Sequence, residues 1–267
     1  MKRKIEKAYL NQLWQLMLNN FDEFVATGQQ ENIHQFRVSV KKLRAFFVLL
    51  DDTLSQNKLS KIFKPVRKIF RHAGEIREAY LNLQMSSRYN MNNEAFILSQ
   101  VDEMDRSIGT FKESAKKYRK IIDQVHEAII DELSEIPNNR IQAFYENQLN
   151  LIGSTLSKLE FSETLHDCRK RIKTLVYNRK VADKALNGNL NLNAVYLDQL
   201  QENIGNWHDT VIAIQLFSTD AFESKPLVVK IKRQNTRLRK SINELSKNFL
   251  ERATLHSKPD LLQKDLK

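Results

Sequence analysis

The stretch His34–Gln35–Phe36–Arg37–Val38–Ser39–Val40–Lys41–Lys42–Leu43–Arg44 decides how this chain folds. At about 100° per residue, His34, Arg37, Lys41 and Arg44 share a helical sector of roughly 80°. Phe36, Val40, Leu43, Phe47 and Leu50 fill the sector beside it. Such a helix buries its apolar sector and leaves the basic stripe at the edge of the core. The pattern returns as His166–Asp167–Cys168–Arg169–Lys170–Arg171–Ile172–Lys173–Thr174–Leu175–Val176. There Cys168, Ile172 and Leu175 form the apolar sector, beside His166, Arg169 and Lys173. Val176 stands where Arg44 stood.

Helical periodicity extends outward from both copies, and no alternating strand pattern persists. Only six Gly and four Pro interrupt 267 residues, so long helices are expected. The spacing predicts a helix over about 4–26 that ends near Gly28. The His34 helix runs to about Leu54. The next begins near Lys58–Pro65 and is expected to break at Gly74, with a new helix carrying Arg77 to about Arg88. One or two helices cover 93–133, with Gly109 as the candidate break. Pro137–Asn138–Asn139 punctuates the midpoint. The second half reads as helices over 140–158, from His166, over 193–204, over 206–218 and over 224–251. Asn187–Gly188–Asn189 forms a turn, and a polar tail spans 257–267.

The halves therefore read as a repeat of about 130 residues, one over about 5–135 and one over about 138–252. Gly74–Glu75–Ile76–Arg77–Glu78 matches Gly205–Asn206–Trp207–His208–Asp209, one residue out of step with the His34/His166 match. Each Gly is expected to permit a tight bend between helices, with Arg77 and His208 in the first turn beyond it. The fold class is all-α. Two repeats resembling four-helix bundles, related by a pseudo-twofold axis, are expected to flank a central basic channel.

Hydrophobic residues make up 41% of the chain, enough for a substantial core, and the formal net charge is +11. That excess favours acidic partners such as nucleic acid, phosphate polymers or anionic membrane. The single cysteine, Cys168, excludes an internal disulfide and any Cys-rich zinc site. No signal peptide and no apolar span of ~20 residues is evident, so a cytoplasmic location is expected.

These motifs resemble the CHAD family, the conserved histidine α-helical domain. Its hallmark is a His-x-x-Arg-x-x-x-Lys-x-x-Arg helix in each of two repeats, each followed by a Gly-x-x-(Arg/His)-Asp segment. His34, Arg37, Lys41 and Arg44 with Gly74, Arg77 and Glu78 supply the first set. His166, Arg169 and Lys173 with Gly205, His208 and Asp209 supply the second. Two departures are Glu78 in place of Asp and Val176 in place of the last basic residue. The resemblance covers about 5–252 as a single domain. It implies non-enzymatic binding of inorganic polyphosphate in the basic channel, no cofactor, no metal, and association with polyphosphate granules in some members. His34, Arg37, Lys41, Arg44, Arg67, Arg77, His166, Arg169, Lys173 and His208 are the candidate phosphate ligands. Arg67 has no basic counterpart, since Asp198 aligns with it. Arg233 and Arg237, on a further stripe with Lys230 and Lys240, are added to the set, although that stripe also reads as a solvated face. Lys112, Lys116 and Arg119 form a comparable stripe in the first half.

Two other readings draw on the same residues. A nucleic-acid backbone binder shares the charge logic, but it needs aromatic or polar base readers, and neither Trp14 nor Trp207 is interleaved with the stripes. A metal-dependent phosphohydrolase would use the His166–Asp167 and His208–Asp209 dipeptides. A di-metal site would use the Glu-x-x-His pairs Glu31/His34 and Glu163/His166, where Arg37 and Arg169 one turn away oppose a dication.

Overall fold

The computed structural model describes residues 1–55, 58–90, 93–218 and 225–254, the side chains of 225 and 226 excepted. Every regular element among them is helical: α1 (Arg3–Thr27), α2 (Gln30–Thr53), α3 (Lys58–Ile62), α4 (Lys64–Arg88), α5 (Glu94–Glu113), α6 (Ala115–Glu132), α7 (Asn138–Ser157), α8 (Glu163–Ala185), α9 (Ala194–Phe217), α10 (Lys225–Ser246) and α11 (Phe249–Thr254). The chain divides into two compact units, Met1–Pro137 and Asn138–Lys267. The polar tail expected over 257–267 lies outside the described residues.

In the first unit α1 packs on α2, α2 on α4, and α4 on α5 and α6. Aromatic rings fill the space between them. Phe111 of α5 meets Phe21 at 5.7 Å and Phe24 at 5.4 Å, and Phe47 of α2 meets Phe63 at 4.9 Å. Gly28 ends α1 at φ 71°, with its N–H on the Phe24 carbonyl. In the second unit α7, α8, α9 and α10 pack in the order of the chain, and α11 closes against α7 and α9. Asn193 holds that closure. Its backbone N–H donates to the Ala253 carbonyl at 2.7 Å and its Nδ2 to the Arg252 carbonyl at 3.0 Å.

Four helix boundaries differ from the expectation. Gly74 and Gly205 do not bend the chain: α4 and α9 run straight through them. Arg77 and His208 consequently sit in mid-helix, not in a first turn. Gly109 also lies inside a helix, and α5 gives way to α6 at Ser114. The helix expected over 224–251 is two, separated where Asn248 adopts φ 51°.

Candidate functional site

Within each unit the striped helix lies against the helix that carries Gly74 or Gly205, and the same contact is built twice. Arg37 of α2 donates from Nη1 to the Phe70 carbonyl of α4 at 2.6 Å. Arg169 of α8 donates from Nε to the Gln201 carbonyl of α9 at 2.9 Å. Each carbonyl lies one helical turn before the glycine, Phe70 before Gly74 and Gln201 before Gly205. A β-carbon at Gly74 would lie 2.6 Å from Arg37 Nη1; one at Gly205 would lie 2.6 Å from Arg169 Nη2 and 2.8 Å from both Cζ and Nε. The glycines therefore clear a seat for a guanidinium laid across the helix. Close approach, not backbone freedom, is what they supply.

A second duplicated device follows each striped helix, at the start of α3 and in the turn before α9. The buried carboxylate of Asp51 accepts from the Leu59 and Ser60 backbone N–H groups, both at 2.9 Å. Asp183 accepts from the Leu190 N–H at 3.3 Å. The span is eight residues in the first copy and seven in the second. This locates the one-residue slip between the His and Gly matches in the turn that follows the striped helix. Sequence reading missed Asp51 and Asp183, which the His34/His166 register would have aligned.

The first face gathers cations. His34 and Arg37 are half-buried, while Lys41, Arg44 and Arg67 are exposed. Burial, then the neighbouring charge of Arg77, holds the His34 imidazolium below its ordinary range, with Lys41 and Arg37 acting the same way against Glu31. Burial, then Arg77, also lowers Arg37, with Glu78 opposing. Burial and then Arg67 lower Arg44. The Phe70 ring lies beneath this group, 4.1 Å from Arg37 Cζ and 6.0 Å from Arg44 Cζ, and Arg77 stacks on Tyr80 at 4.7 Å.

The second face keeps the geometry and changes the chemistry. The His166 and His208 rings stack with centroids 4.2 Å apart, so His208 occupies the place of Arg77. Burial, then His208 and Lys170, lowers His166, with Glu163 opposing and Arg169 reinforcing. Its Nδ1 is buried without a hydrogen-bond partner, as is Gln201 Oε1. Burial, then Arg169, lowers Lys173, and the carboxylates of Asp198 and Glu202 oppose both. Cys168 is buried beneath this face, its thiol pushed up to about 12 by burial, which leaves it no nucleophilic thiolate near neutrality.

The structure thus brings His34, Arg37, Lys41, Arg44, Arg67 and Arg77 together, and separately His166, Arg169, Lys173 and His208. Arg233 and Arg237 are exposed on α10. From α10, Arg239 stacks 4.4 Å over the Phe161 ring. Phe161 in turn meets Trp207 at 5.5 Å, and Trp207 lies 6.3 Å from His208. In the first unit Arg119 is paired with Asp22 at 2.6 Å and with Asp123 at 3.3 Å.

The CHAD domain profile matches residues 8–218. The chain belongs to the CHAD domain family. Among solved structures it is similar to the crystal structure of the CHAD domain from the plant Ricinus communis, with a TM-score of 0.65 at 14% identity over 91% of each chain. At that identity the likeness speaks to the fold. No curated protein matches the chain significantly. The CHAD match ends just after α9, so α10 and α11 lie beyond it. Among the described residues no helix is long and apolar enough to cross a membrane.

Proposed function

We propose that this CHAD protein binds inorganic polyphosphate on its two duplicated cationic faces and does not turn it over. The observation that supports this most is the packing of like charges on the first face. Arg37, Lys41 and Arg77 surround His34, Arg67 lies against Arg44 on the same stripe, and Glu31 and Glu78 are carboxylates that temper His34 and Arg37. Crowded cations repel one another when the face is empty, so a chain of phosphates relieves strain that a neutral ligand would leave. Arg supplies planar donors matched to phosphate oxygens, and Lys supplies a point charge. Arg37 and Arg169 spend one donor each on a backbone carbonyl and keep the rest for ligand, so both orient the face as well as charge it.

The test is a titration of the full chain against polyphosphates of several lengths, beside RNA and ATP, at two salt concentrations. Long polyphosphate is expected to bind more tightly than ATP, to lose affinity steeply with salt through counterion release, and to displace RNA more readily than RNA displaces it. RNA displacing polyphosphate with equal ease would favour the nucleic-acid reading. Phosphate release with Mn²⁺ or Mg²⁺ that stops on chelation would replace binding with hydrolysis.

A further inference from the structure

The two arginine seats fix a common register for α4 and α9, and that register exposes an inversion of charge. Phe70 aligns with Gln201 and Gly74 with Gly205. Over the two preceding turns α4 carries Lys64, Arg67, Lys68 and Arg71. The same positions of α9 carry Val195, Asp198, Gln199 and Glu202. All eight side chains are exposed. Asp198 precedes Gln201 by three residues and Glu202 by four, and Glu202 precedes Gly205 by three, so the carboxylates lie along the ridge against which Arg169 is seated. Arg67 occupies the matching place beside Arg44. Val176 replaces Arg44 itself, and Lys173 of the second face lies in the field of both Asp198 and Glu202.

The balance follows from the named residues. Counting Glu31 and Glu78, the first face holds a clear surplus of fixed positive charge from Arg37, Lys41, Arg44, Arg67 and Arg77. The second sets Arg169, Lys170 and Lys173 against Glu163, Asp198 and Glu202, a formal balance of zero, with the imidazoles of His166 and His208 beside them. A polyanion gains little from a face that already carries its own carboxylates, and it must approach them to reach Lys173.

We propose that Asp198 and Glu202 are specificity-determining residues that make the second repeat a weak phosphate subsite and leave the first repeat as the principal anchor. This rests on the polyphosphate reading above. The repeats share the arginine seat yet are unequal in affinity for phosphate.

The experiment uses the full chain and tripolyphosphate at low salt, following the imidazole NMR resonances of His34, His166 and His208. In the wild type the His34 midpoint is expected at about tenfold lower ligand than those of His166 and His208. In D198N/E202Q the His166 and His208 midpoints are expected to fall to within about threefold of His34, with the His34 midpoint unchanged. In Arg67→Gln only the His34 midpoint is expected to rise. Equal midpoints in the wild type, or unmoved His166 and His208 midpoints in a folded D198N/E202Q, overturn the inference while leaving polyphosphate binding intact. If the double variant does not fold, Asp198→Asn alone carries the same comparison. If no imidazole responds to tripolyphosphate or to a long chain, the functional reading itself fails and takes the inference with it.

Discussion

Gly205→Ala isolates the arginine seat from every other feature of the second face. Alanine in mid-helix gains about 1 kcal/mol over glycine when nothing opposes it. At Gly205 the new β-carbon meets Nη2, Cζ and Nε of Arg169, all at 2.8 Å or less. No small rotation clears three atoms of one rigid plane, so the guanidinium must leave the Gln201 carbonyl. A hydrogen bond from a charged donor is worth about 1.5–3 kcal/mol. The difference predicts a net destabilisation of about 0.5–2 kcal/mol. At Gly74 the collision is with Nη1 alone, while Cζ and Nη2 stand off at 3.5 and 3.6 Å. That nitrogen is the donor to the Phe70 carbonyl, so moving it aside forfeits the seat's hydrogen bond unless Nη2 takes it over, and Gly74→Ala should destabilise by no more than Gly205→Ala, about 0–2 kcal/mol. The assay is urea unfolding followed by circular dichroism and tryptophan emission. One tryptophan lies in each unit, Trp14 in the first and Trp207 in the second, so separate transitions are detectable. The decisive comparison is Gly205→Ala in an Arg169→Ala background. With the guanidinium gone the alanine should stabilise by about 1 kcal/mol, giving a coupling of about 1.5–3 kcal/mol. Gly205→Ala as stable as the wild type, or additive with Arg169→Ala, would refute the seat.

Three further outcomes are expected. Charge reversal at Lys41 and Arg44, which are exposed and outside the arginine seats, should weaken long-chain polyphosphate at least tenfold at low salt with an unchanged thermal midpoint; unaltered affinity in the folded variant removes these residues from the site. Binding should tighten as pH falls from 8 to 5.5, because both His34 and His166 are held low in the empty protein and bound phosphate raises them. The groups facing His34 are Arg77, Glu31, Lys41 and Arg37; those facing His166 are His208, Lys170, Glu163 and Arg169. Each imidazole raised by one unit contributes up to about tenfold, and an isothermal titration showing no proton uptake on binding would contradict this. Finally, Glu6 is fully buried and burial pushes its carboxyl up to about 7, with the Met1 amino group opposing. A pKa raised above its unfolded value destabilises once pH climbs past the unfolded value, and the cost is complete above the folded one. Glu6→Gln should therefore stabilise the protein at pH 8 by about 1–3 kcal/mol and lose that advantage below about pH 4.5; a benefit equal at both pH values would mean that packing, not ionisation, is responsible.

The helices and the two basic stripes were legible in the sequence because each is a local pattern. Periodicity of 3.6 residues needs no partner to be read, and His34–Arg44 and His166–Val176 state which side faces inward and which carries charge. The midpoint at Pro137 and the family motifs are local in the same sense. What Gly74 and Gly205 do was not legible. A glycine permits a bend and a close approach equally, and which one operates depends on a guanidinium arriving from a helix more than thirty residues away. Asp51 and Asp183 were hidden likewise, since a helical aspartate reads as solvated until the backbone N–H groups it accepts are placed against it. Asp198 could be aligned with Arg67 in sequence, but its meaning came from tertiary packing. Only the seating of Arg169 on α9 puts that carboxylate and Glu202 beside Lys173, and charge acts through distance in space rather than through position along the chain.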